Sequence, residues 1–151
     1  MTTTVTVAQL PELRGRELGP SEWFEIGQAR VDTFADATDD HQWIHTDPER
    51  ARAESPFGGP IAHGYLTLGL LIPMYSQVLR ISDATMNVNY GLNKVRFPAP
   101  VPVGAKIRLT ATVAQVDDVA GGLQLTIAAV IEAEGVSKPV CTAEAVFRTY
   151  R

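Results

Sequence analysis

The chain has one cysteine, Cys141, in 151 residues. No internal disulfide can form, so the cross-linked scaffolds of small secreted domains are excluded. Excess positive charge is also missing: 13 Lys and Arg stand against 17 Asp and Glu, for a net charge of −4. Nothing here is built to neutralise phosphates, and no nucleic acid is expected as a partner. Met1 to Arg16 has no basic start followed by an apolar run, so no signal peptide is read there and a cytoplasmic location is expected. Repeats, low-complexity tracts and charge blocks are absent too, and a single domain over residues 1–151 is expected. The longest stretch without a formal charge includes the nineteen residues from Ile61 to Leu79. It contains His63, Gly64, Thr67, Gly69, Pro73, Ser76 and Gln77, which would sit poorly in lipid. The run therefore reads as a helix buried in a protein core rather than a membrane span.

The remaining pattern divides into a helical first half and a strand-rich second half. A short strand is expected near Trp23–Ile26 and a helix over Gln28–Thr38, where Val31, Phe34, Ala35 and Thr38 share a face. Asp47-Pro48-Glu49 supplies a carboxylate cap and a first-turn proline, so a second helix starts there and ends by Ser55. Ser55 to Pro60 is a loop, and the long apolar helix follows from about Ala62 to Arg80, disturbed at Pro73. Strands are expected over Met86–Phe97, Lys106–Val116, Leu123–Glu134 and Pro139–Tyr150, with a tight turn at Gly121-Gly122. Cys141 falls in the last of these and reads as a buried small hydrophobe rather than a reactive thiol. The economical packing is α+β, an antiparallel sheet wrapped around a long central helix.

Titratable groups gather in one place. His41, His45 and His63, the only histidines, lie within 23 residues, and Asp39, Asp40 and Asp47 are beside them. Asp40 and His45 are five apart, which on a continuous helix would turn them about 140° from each other, so both are expected on irregular backbone after the first helix. Their large apolar neighbours Trp43 and Ile44 argue for a partly dry pocket. His41 and His45 with Asp40 offer zinc-type ligands, but turn-forming residues spoil a helical His-x-x-x-His face and no metal is expected. Further on, Gly59-Pro60-Ile61-Ala62-His63-Gly64 runs into the start of the apolar helix. The first amides of a helix lack internal partners, and Gly64 has no side chain to block approach, so its N–H is a candidate oxyanion donor.

The run Phe34-Ala35-x-x-Thr38-Asp39-Asp40-x-Gln42-Trp43-Ile44-His45-x-Asp47-x-x-x-Ala51, with Pro60-Ile61-Ala62-His63-Gly64 downstream, resembles the signature of the MaoC-like, (R)-specific enoyl-CoA hydratases. Within them it is most similar to the single-domain, nodulation-protein-N-like branch. The resemblance covers nearly the whole chain and implies a hot-dog fold, with the helix as sausage and the sheet as bun. It departs at Asp39, Gln42 and Trp43, where the broader signature usually has Gly, Asn and Pro. What it implies is reversible hydration of a trans-2-enoyl thioester to a (3R)-hydroxyacyl thioester. Asp40 and His45 would hold one water, the Gly64 N–H would bind the thioester oxygen, and Gln42 and His63 would contact substrate or support the pair. No metal or redox cofactor is implied, the substrate arriving on CoA or acyl carrier protein, and a homodimer is expected. Alternative readings are a 3-hydroxyacyl-ACP dehydratase subunit, a hot-dog acyl-CoA thioesterase, or a non-catalytic acyl-binding subunit.

Overall fold

In the computed structural model, which describes residues 1–151, fourteen short and long elements pack around one continuous core of 28 buried side chains. The first half contributes β1 (Thr3–Val5), a 3₁₀ segment (Val7–Leu13), β2 (Glu17–Leu18), β3 (Phe24–Glu25), α1 (Gln28–Thr38), α2 (Trp43–Thr46) and α3 (Pro48–Glu54). The sheet strands of the second half are β5 (Met86–Arg96), β6 (Lys106–Val119), β7 (Gly122–Ala133) and β8 (Cys141–Tyr150). They pair antiparallel in the order β2-β6-β7-β8-β5, with β3 also on β6. Six strands therefore stand where the sequence pattern predicts the four long ones and the short one near Trp23–Ile26, in which β3 falls; β2 is two residues long and too short to show an alternation.

Alternation in the long strands decides which face is inside. Ile107, Leu109, Ala111 and Val113 of β6, and Ile127, Ala129, Ile131 and Ala133 of β7, are buried on one face. Cys141 lies on the same inner face of β8, and burial pushes its thiol up to about 11, so it is packing and not a nucleophile. The β6–β7 turn is Ala120-Gly121 rather than Gly121-Gly122. Gly121 takes the left-handed conformation at φ +81°, while Gly122 is already in the strand, where a Cβ would collide with the Thr149 carbonyl.

The single long helix expected over 62–80 is instead α4 (Gly64–Gly69) and α5 (Leu71–Val78), followed at once by β4 (Leu79–Ile81). The break at Leu70 has a simple cause. A proline inside a continuous helix clashes with the carbonyl four residues back, whereas in the first turn it is tolerated. Restarting the helix at Leu71 puts Pro73 in that first turn. Leu71, Met74 and Val78 then face the sheet. The C-terminal residues leave the helix because Leu79–Ile81 pair in parallel with Thr3–Val5. No helix is long and apolar enough to cross a membrane.

Candidate active site

α1 ends at Thr38 because Asp39 adopts a left-handed conformation, φ 58° and ψ 23°, at the helix C-cap. Glycine fits that backbone best and aspartate is one of the few other residues that tolerates it, which explains why the related signature usually has Gly here. Asp39 and Asp40 are exposed. Reversal at Asp39 brings the chain into α2, a single turn that corrects the expectation of wholly irregular backbone. The Gln42 carbonyl accepts from the His45 and Thr46 amides at 3.0 and 3.3 Å. Gln42 thus contributes through its backbone; its side chain makes no capping bond and is exposed. The first residue of α1 fastens the turn from behind, as Gln28 Nε2 donates to the His45 carbonyl at 2.7 Å.

His45 is buried, and its Nδ1 lies 2.6 Å from the Ile61 carbonyl. A carbonyl only accepts, so Nδ1 carries the proton and, in the neutral ring, Nε2 keeps its lone pair. Burial pushes the imidazole below its ordinary value, opposed by the Ile61 hydrogen bond and by Asp40 and reinforced by nearby His63. The loop after α3 is pinned on both sides: Ile61 N–H donates to the Ile44 carbonyl at 3.0 Å and Ala62 N–H to the Val101 carbonyl at 2.8 Å.

His63 is 2 % exposed and joins the two other groups. Its ring stacks on His45 at 3.9 Å between centroids, and its Nε2 donates to the Asp40 carbonyl at 2.9 Å. A carboxylate oxygen of Asp40 and one ring nitrogen each from His45 and His63 lie within 4.8 Å of one another. These are the residues that could hold a metal, although His63 Nε2, which lies 4.0 Å from the Asp40 carboxylate, is already engaged with the Asp40 carbonyl. His41, the ring that sequence spacing offers as a ligand, stands apart near Asp36 on the surface. Sequence reasoning missed the part played by the Ile61 carbonyl and the stacked position of His63. For Ile61 no signal exists, since a backbone acceptor is independent of side-chain identity.

Gly64 begins α4, and its N–H donates to nothing within the protein. It lines a cleft of about 300 Å³ with His45, Thr67, Phe57, Ala62 and Phe97. Asp40 is not in the cleft wall; its side chain is half-exposed beside it. Another groove of about 240 Å³ between α4–α5 and β5–β8 is mostly apolar and has no titratable side chain, whereas His45 lies in the wall of the first. A buried imidazole with a carboxylate near it, sharing a cleft with an unsatisfied N–H, is an arrangement suited to addition to a polarised double bond.

The MaoC like domain profile matches residues 9–135. The chain belongs to the MaoC-like family. It is 49% identical over 149 residues, 98% of each chain, to the 3-hydroxyacyl-thioester dehydratase Z of Mycobacterium tuberculosis. Nodulation protein N of Rhizobium leguminosarum bv. viciae is 45% identical over 141 residues, covering 92% of this chain and 88% of that one. Among solved structures, the (R)-hydratase from A. caviae involved in PHA biosynthesis superposes with a TM-score of 0.72 at 25% identity, over 89% of this chain and 94% of that one. The MaoC-like fold is therefore the α+β hot-dog arrangement described above.

Proposed function

We propose that this MaoC-like chain is a hydro-lyase that reversibly hydrates trans-2-enoyl thioesters to (3R)-hydroxyacyl thioesters. The observation that carries the reading is that His45, grouped with Asp40 within 4.8 Å, shares the wall of one cleft with the free Gly64 N–H, in a chain 49% identical over 98% of its length to a 3-hydroxyacyl-thioester dehydratase. In the hydration direction the Asp40/His45 pair takes a proton from water as its oxygen bonds the β-carbon. The π electrons move toward the thioester, whose oxygen gains negative charge against the Gly64 N–H. The pair then gives a proton to the α-carbon, so water is added with no redox change and no metal. The thioester carrier is CoA or acyl carrier protein. Purified protein given crotonyl-CoA should abolish the enoyl absorbance and yield 3-hydroxybutyryl-CoA; release of free thiol without hydration would replace this reading with a thioesterase.

Neutral His45 is the form with a lone pair on Nε2, so protonation should stop the reaction. Because burial disfavours the imidazolium, kcat/KM for crotonyl-CoA should be constant above neutrality. On acidification it should fall with a midpoint below the ordinary histidine value of about 6.5. A midpoint above that value in a pH-rate profile would contradict the assignment.

The protein is also proposed to be a homodimer. β5 ends the sheet, so one side of an eleven-residue strand has no partner, and Met86, Tyr90 and Leu92 on it are exposed. Long apolar edges of this kind are usually covered in native proteins. Light scattering at micromolar concentration should give twice the 16.4 kDa chain mass; a single-chain species would overturn the dimer.

A further inference from the structure

Thr67 is 1 % exposed, and its hydroxyl has no hydrogen-bond partner. Buried hydroxyls are nearly always satisfied, so an orphan calls for a reason. Other hydroxyls within helices of this chain take the local solution, Thr46 among them, which donates to the Gln42 carbonyl at 3.2 Å. Thr33, Thr38 and Ser76 each donate to the carbonyl four residues earlier, at 2.9, 2.7 and 3.0 Å. Thr67 has the equivalent carbonyl, that of His63, which accepts its backbone N–H at 3.2 Å. Its hydroxyl does not turn to it. Instead Thr67 lines the cleft that also holds His45 and Gly64.

Position explains what the hydroxyl faces. Thr67 is three residues after Gly64 in α4, on the same helical face, and helical side chains lean back toward the N-terminal end. That end carries the Gly64 N–H, the other donor in the cleft without a protein acceptor. The remaining orphan in this part of the fold, His63 Nδ1, is an acceptor in the neutral ring with Nε2 protonated, and offers nothing to an anionic oxygen.

We propose that Thr67 is a second hydrogen-bond donor to the substrate's thioester oxygen, acting beside the Gly64 N–H. The assignment rests on the hydratase reading above. The O–H bond to the carbonyl is weak in the ground state and strengthens as enolate charge develops, so the hydroxyl acts on kcat more than on KM. No proton leaves Thr67; it stays a neutral donor throughout.

Thr67→Val tests this with little structural disturbance, because it is nearly isosteric and removes a hydroxyl that bonds nothing in the protein. Thermal melts should show the variant as stable as the parent or more so. Its kcat for crotonyl-CoA should fall by about 10- to 100-fold, the range for one hydrogen bond to a charged oxygen, with KM changed by less than about threefold. Thr67→Ser keeps the donor and should recover most of the rate. Acetoacetyl-CoA, whose enolate absorbs in the near ultraviolet, adds a readout without turnover. Its enolate band should grow on binding to the parent and to the Ser variant, and grow less with the Val variant. If the parent hydrates crotonyl-CoA and the Val variant matches it in rate and enolate band, Thr67 is not a donor and the hydratase reading stands. If the parent hydrates nothing yet draws out the enolate band in a Thr67-dependent manner, the donor stands and the hydratase reading falls.

Discussion

Asp40→Asn and His45→Gln should each slow crotonyl-CoA hydration by about 10²- to 10⁴-fold, the range for loss of a positioned acid/base group, while leaving the protein folded. Asp40→Asn keeps the size of a half-exposed side chain and the backbone carbonyl that receives His63 Nε2. His45→Gln breaks the 2.6 Å bond to the Ile61 carbonyl, a loss of about 1 kcal/mol in stability. The two effects should not multiply. Groups that act on one water are removed together when either is lost, so the double variant should be about as slow as the slower single one. Initial rates and circular dichroism on all three proteins make the comparison. A single variant close to the parent rate would remove that residue from the catalytic pair.

Gly64→Pro should lower the same rate by about 10²- to 10³-fold, the effect of deleting one oxyanion donor. The backbone is prepared for the change. The Gly64 N–H has no protein acceptor to lose, and His63 at φ −59° and ψ 137° already has the extended conformation required of a residue before proline. Gly64 is not free of steric constraint, however. A Cβ there would meet the Phe97 ring at 3.1 to 3.3 Å, tighter than ordinary contact. Alanine and proline both add this Cβ, so Gly64→Ala reports the crowding and the further drop to proline reports the missing N–H. Equal rates in the two variants, both folded by circular dichroism, would remove Gly64 from the oxyanion role.

Much of the fold was readable because its signals are local. The bounds of α1 follow the apolar face of Val31 and Ala35, α3 follows the Asp47-Pro48 start, and β6 follows a strict alternation. The strands β1, β2 and β4 were not readable. β1 and β4 are three residues each and exist only because they meet each other across 76 positions of chain, Thr3 against Leu79. The uncharged run that ends in β4 also hides its own boundary, since apolar residues all round a helix and along a buried strand look alike. In the candidate site, the spacing of Asp40, His45 and Gly64 was visible because side-chain chemistry and a missing side chain leave marks. Thr67 was visible only as a polar residue in an apolar run; its lack of a carbonyl partner is a three-dimensional fact.

Ile61 gives the site a form of robustness that side-chain replacement will not expose. Packed across from the His45 turn, its N–H donates to the Ile44 carbonyl and its carbonyl sets the tautomer of His45. Any residue with a free N–H can supply both atoms, so a replacement at 61 keeps both hydrogen bonds and reports only the part its side chain plays in the cleft wall. Only exchanges that alter the main chain itself, an amide-to-ester replacement or a proline, would test how far the orientation of His45 depends on a residue whose identity it never reads.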